Sequence, residues 1–186
     1  MKALLTRSIS GLLFAAIMLL GIWYSRWSFT ILFFIINLGC LWEYYTITKP
    51  LYTIGKISHN FYRSIGIILG SIIYIFFAAR SMLLLPEEGE ELFVIVLYLF
   101  MMLELFSLSP QAIRNAALNV FGLVYISTAL GLLLLITQRV YLFEDAYDWY
   151  PMMVAPVLGL LLLIWANDTF AYLGGSLFGR NKLYAA

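Results

Sequence analysis

The sequence is poor in charge and nearly devoid of cysteine and histidine. Only 11% of its 186 residues are Asp, Glu, Lys or Arg, while 63% are hydrophobic. Soluble domains average roughly 25% charged and 45–50% apolar, so the composition excludes an ordinary water-soluble domain and leaves a polytopic membrane protein. The formal net charge is +1, so bulk charge gives nucleic acid no purchase, and no nucleic-acid partner is expected. The one cysteine, Cys40, lies inside an apolar stretch. It rules out an intrachain disulfide and a thiolate metal cluster, and it reads as a small apolar membrane residue. The one histidine, His59, reads as a loop residue. No internal repeat and no low-complexity tail is present.

Long apolar runs are what the chain does have. Six stretches stand out, at Ile9–Tyr24, Phe29–Ile47, Ile65–Leu85, Leu92–Leu108, Val120–Thr137 and Met152–Leu173. Each is near the roughly 20 residues that a helix needs to cross a bilayer. Helix is the expected state, because an open strand would leave its backbone groups unpaired in lipid. The expected fold class is therefore all-α, about six transmembrane helices forming a single domain over residues 1–186. The first run follows Lys2 and Arg7 like a signal peptide, but it is long for one and no small-x-small cleavage site follows it. It reads as a retained span. Breakers fall between the runs, at Lys49-Pro50, Pro86-Glu87-Glu88-Gly89, Ser109-Pro110 and Tyr150-Pro151.

The basic residues set an orientation. With the N-terminus in the cytoplasm, the inner side carries Lys2, Arg7, Lys49, Lys56, Arg63, Arg114, Arg180 and Lys182, and the outer side only Arg26, Arg80 and Arg139. Trp23, Tyr24 and Trp27 at one boundary, and Trp42, Tyr44 and Tyr45 at the other, read as aromatic-belt residues. Three acids, Glu43, Glu104 and Asp168, lie within spans toward their inner ends. They either line one shared cavity or hold separate interfacial positions. A carboxylate in hydrocarbon is costly and is a functional candidate for that reason.

Asp168 has the richest surroundings. On a helix, Asp168, Ala171, Tyr172 and Gly175 share one small, polar face. Gly174-Gly175 admits close approach of a ligand or a second helix, and Arg180 and Lys182 follow at the membrane surface. A carboxylate followed by cations at such a boundary suits Mg²⁺ bound together with phosphates, the basic groups neutralising the remaining charge.

The string Trp165-Ala166-Asn167-Asp168-Thr169-Phe170-Ala171-Tyr172-Leu173-Gly174-Gly175, followed by Phe178-Gly179-Arg180-Asn181-Lys182-Leu183, resembles bacterial phosphatidate cytidylyltransferase, also called CDP-diacylglycerol synthase. Weaker matches are Arg7, Trp42-Glu43-Tyr44-Tyr45 and Phe121-Gly122-Leu123-Val124-Tyr125-Ile126. The resemblance implies transfer of a cytidylyl group from CTP to phosphatidic acid, giving CDP-diacylglycerol and pyrophosphate in phospholipid biosynthesis. It implies the bacterial inner membrane, an active site on the cytoplasmic side, Mg²⁺ as cofactor, membrane lipid as surroundings, and a homodimer among the assemblies to expect. It makes Asp168 the catalytic, metal-holding residue, Arg180 and Lys182 phosphate contacts, and Asn167 and Tyr172 residues that orient the carboxylate.

The family continues with a Ser-Pro-Lys-Lys-Thr segment and a signature containing His-Gly-Gly and Asp-Arg-x-Asp, and this sequence contains neither. Relative to the family the chain is thus expected to be C-terminally truncated, as a fragment, an interrupted gene product or a short paralogue, and impaired or inactive by itself. The alternative expectation is a non-enzymatic lipid-binding or assembly protein. A transporter is disfavoured, because no span centre carries a charge and no paired broken helices occur.

Overall fold

A computed structural model describes residues 2–52, 58–82, 111–139 and 150–179, and the isolated positions 95, 98, 99, 102 and 106. Side chains are described from Ile9 onward, apart from those of 138, 139, 150–153, 177 and 178. The protein is an all-α polytopic membrane protein, with no strand among the described residues. Helix α1 runs Lys2–Tyr24, α2 Arg26–Ile47 and α3 His59–Ser81. Helix α4 (Ala112–Gly122) passes through a π-helical stretch (Leu123–Thr128) into α5 (Ala129–Arg139). Helix α6 is Tyr150–Phe178. Four described segments are long and apolar enough to cross a membrane, namely Arg26–Ile47, His59–Ser81, Ala112–Thr137 and Val154–Ser176, and Ile9–Tyr24 is a shorter apolar helix. The expected span Leu92–Leu108, with Glu104, lies outside the described residues except for positions 95, 98, 99, 102 and 106, which are helical.

Local chemistry explains the sharpest turn. Between α1 and α2 only Ser25 is non-helical. Its Oγ accepts from the Ser28 N–H at 3.0 Å, while the Ser25 N–H donates to Ser28 Oγ at 3.0 Å. Ser28 Oγ in turn donates to the Gly21 carbonyl at 2.7 Å. This reciprocal cap satisfies backbone groups that would otherwise be orphaned in lipid. Ser25→Ala is expected to lower stability by about 1 kcal/mol, read as a lower melting temperature in detergent.

The helices close into a ring in which α1 packs on α2, α2 on α3, α3 on the α4–α5 segment, α5 on α6, and α6 back on α1. The ring is filled unevenly. One end holds a core drawn from every wall: Met18 and Ile22 of α1, Phe29 and Phe33 of α2, Tyr74 and Ala78 of α3, Leu134 of α5, and Val154 and Val157 of α6. The other end holds a second core of Leu41, Tyr45, Tyr52 and Tyr62, with Leu118 and Ile126 packed against it. Only α2, the α2–α3 connection, α3, α4 and the π-helical stretch take part there. Among the described residues neither α1 nor α6 contributes, so the described helices seal the ring at one end and leave it open beside α6 at the other.

Two expectations about the second end are corrected. Tyr44 and Tyr45 are not both belt residues: the Tyr44 hydroxyl donates to the Leu118 carbonyl at 2.6 Å, and Tyr45 is fully buried. His59 is the first residue of α3 rather than a loop residue, and it is buried. Hydropathy cannot distinguish an aromatic side chain against lipid from one against another helix, because both surroundings are apolar.

Candidate functional site

Asp168 stands one turn beyond the last residue that α6 anchors in the core. Val154, Val157, Leu158, Leu161 and Trp165 form the packed stripe of α6, and Trp165 meets Phe14 of α1 with ring centroids 6.2 Å apart. At about 100° per residue, Asp168 and Tyr172 continue this same stripe. Yet both are exposed, Tyr172 at 75%, because the stripe runs past the sealed core into the open end of the ring. The carboxylate therefore lies on the helix face that upstream points into the bundle, at a level where no described core residue packs against α6.

The neighbouring groups fit that description. Asn167 and Ala171 are exposed. No described atom lies within 4 Å of where a Cβ would stand at Gly174 or Gly175, so the two glycines leave the backbone accessible and pack against no described helix. Thr169 is occupied locally, its hydroxyl donating to the Trp165 carbonyl at 2.7 Å. Asp168 has no ion-pair or hydrogen-bond partner among the described residues. Arg180 and Lys182 lie outside the described residues.

A test of the donor set decides what this carboxylate can hold. Among the described residues no group of three or more His, Cys, Asp or Glu converges. Glu43 is exposed on α2, and no described contact joins it to Asp168. A protein cage for a metal is thus not provided by these residues. A single unpartnered carboxylate does suit Mg²⁺, which keeps several waters and is commonly bound by one or two carboxylates together with substrate phosphates. Asn167 and Tyr172 stand one residue before Asp168 and one turn after it on α6.

Several polar residues that the sequence reading left unremarked are buried in the bundle. The Tyr52 hydroxyl donates to Asn119 Oδ1 at 2.6 Å, tying the α2–α3 connection to α4. Asn115 and Asn119, one turn apart on α4, are both fully buried. Asn37, halfway along α2, and Ser127, in the π-helical stretch, are fully buried, and their side-chain polar atoms have no hydrogen-bond partner among the described residues. An Asn in mid-span and an Asn pair at i, i+4 were the signals that would have marked this seam. At the sealed end, an apolar groove of about 320 Å³ lies between α2 and α3, bordered by Trp27, Phe34, Tyr74 and Met82. It carries no acid, base or cation and is remote from Asp168.

A model of the cytidylyltransferase family matches residues 5–186. No curated protein and no solved structure matches the chain.

Proposed function

The chain belongs to the cytidylyltransferase family, and from this we propose that it is a phosphatidate cytidylyltransferase-like protein, whose reaction is the condensation of CTP with phosphatidic acid to CDP-diacylglycerol and pyrophosphate. The observation that carries the reading is the position of Asp168: an exposed carboxylate with no described partner, on the bundle-facing stripe of α6, at the open end of the ring. That end also holds the C-terminus of α2 and the N-termini of α3 and α4. The basic bias of the sequence puts it on the cytoplasmic side, in a bacterium the inner face of the cytoplasmic membrane, where CTP is available.

In the reaction an oxygen of the phosphatidate phosphate attacks the α-phosphorus of CTP, and pyrophosphate leaves. Such transfer depends mainly on positioning and on neutralising phosphate charge. Magnesium, when bound, would neutralise that charge and make the α-phosphorus more electrophilic. Asp168 would hold the ion together with the nucleotide phosphates. Asn167 and Tyr172 would fix the carboxylate, and Arg180 and Lys182 would engage phosphate oxygens, stabilising the negative charge that builds on the leaving pyrophosphate. The open space beside Gly174-Gly175 would let the lipid phosphate reach the nucleotide from the membrane side.

The described residues bring one carboxylate to this site, and one does not make a two-metal site of the kind that clamps both the attacking and the leaving oxygen. The 186-residue polypeptide by itself is therefore expected to bind CTP in the presence of Mg²⁺ but to form CDP-diacylglycerol slowly or not at all. The check is a single preparation assayed twice, for retained radiolabelled CTP with Mg²⁺ or with EDTA, and for labelled CDP-diacylglycerol with phosphatidic acid. Magnesium-dependent CTP retention supports the reading. Its absence removes the proposed nucleotide site, and rapid product formation removes the claim of impairment.

A further inference from the structure

The open end of the ring carries a cationic feature on the opposite side from α6. Arg63 lies in the second turn of α3 and is half-buried, its guanidinium carbon 4.2 Å from the centroid of the Trp42 ring on α2. Lys49, in the short helical turn Lys49–Leu51 that follows α2, is exposed. The Tyr52 N–H donates to the Lys49 carbonyl at 3.3 Å, and Arg63 follows His59 by one turn of α3. Neither cation forms an ion pair with a described acid. The nearest acid in sequence, Glu43, lies beside Cys40 on another α2 face.

The floor of this feature is rigid. Tyr52 is buried, held to Asn119 by its hydroxyl, and its ring meets the His59 imidazole edge-on at 5.4 Å. Tyr62 stacks on Tyr52 at 5.7 Å. His59 is only 6% exposed, and its imidazole is engaged by the Tyr45 backbone. Around the rim, Trp42, Ile47, Leu51 and Phe61 are all about half exposed or more. The feature therefore combines two cations, a rigid aromatic floor and exposed apolar side chains at the end of the membrane-spanning helices.

We propose that Arg63 and Lys49 form a headgroup site for an anionic glycerophospholipid, separate from the Asp168 site. The charge complement is a phosphate diester. Stacking on Trp42 occupies one face of the guanidinium and leaves its N–H edge free to take two phosphate oxygens. Lys49 adds a point charge. The exposed apolar rim suits acyl chains rather than water, which selects a lipid over a soluble phosphate. In the ring, α6 is flanked by α1 and α5, so a lipid on the α2–α3 seam is not the one presented to Asp168. Such a lipid would brace the aromatic knot that joins α2, α3 and α4.

The test is native mass spectrometry of the full chain released from micelles holding equal amounts of phosphatidylglycerol and phosphatidylcholine with the same acyl chains. A basic residue at an anionic membrane surface shifts the equilibrium by roughly fivefold. The native chain is therefore expected to retain phosphatidylglycerol in at least roughly fivefold preference. Lys49→Gln and Arg63→Gln should each remove a large part of that preference, and the double change should abolish it. Lys49 is exposed, so its replacement leaves the fold intact, and an unaltered melting temperature verifies this for both variants. A double variant that keeps the native preference overturns the proposal. So does displacement of the lipid by millimolar inorganic phosphate, which would show a soluble-anion site instead. Asp168→Asn should leave the preference unchanged, so the lipid site and the nucleotide site stand or fall separately.

Discussion

Asp168→Asn is expected to abolish magnesium-dependent binding of CTP while leaving the fold as it is. The amide has the size and shape of the carboxylate but neither its charge nor its affinity for a hard cation. Loss of an outer partner of a metal ligand costs roughly 10–100-fold in metal affinity, and loss of the ligand itself costs at least that. The side chain is exposed and makes no described hydrogen bond or ion pair, so no packing or buried network fails with it. Equilibrium dialysis of CTP against the native chain and the variant, each with Mg²⁺ and with EDTA, separates the cases. The native chain should lose binding in EDTA, and the variant should bind equally weakly in both. A variant that still responds to Mg²⁺ would place the metal elsewhere. A parallel melting curve in detergent should coincide with that of the native chain.

Gly66→Ala is expected to produce the largest loss of stability among single conservative changes. A Cβ at position 66 would overlap the phenol end of Tyr45. Relief would require the ring to move, but Tyr45 is fully buried, packed edge-on against Tyr44 at 5.4 Å and beside Tyr52 at 6.5 Å. Overpacking of this kind costs typically about 1–3 kcal/mol. The damage should also spread along the second core, since Leu41 and Ser127 approach Gly70 one turn further on, each with an atom 2.6 Å from where a Cβ would stand. Melting in detergent should therefore fall well below that of the Ser25→Ala variant. A Gly66→Ala chain that melts like the native one would mean that α2 and α3 are not packed this closely. Gly174→Ala is the natural control, because nothing described lies near its Cβ position.

These two residues illustrate what a single sequence can and cannot express. Asp168 was legible because a carboxylate inside an apolar run has few bland explanations, and because the residues around it form a recognisable string. Gly66 was not. A glycine in a membrane helix is common, and its partner Tyr45 is distant in sequence and looked like part of an interfacial aromatic pair with Tyr44. His59 was equally hidden. Its neighbourhood in the sequence is polar, and only the return of Tyr52 beneath the end of α2 buries it. Arg63 was counted as one more inward-facing charge, and its stacking on Trp42 depends on how α2 and α3 are rotated about their axes.

The sequence by itself determined that the protein is all-α and membrane-spanning, roughly where its helices run, and which family it belongs to. Each of these depends on composition, run length or a contiguous string, and all of them are local. Tertiary structure alone decided the order of the helices in the ring, the seal at one end and the opening at the other. It also decided that Asp168 continues the packed face of α6 beyond the point where any described core residue covers it. The physical reason is that lipid and protein interior are equally apolar. A hydrophobic face on a membrane helix does not announce its partner, so which faces meet, and where they stop meeting, is settled by side-chain shape across helices.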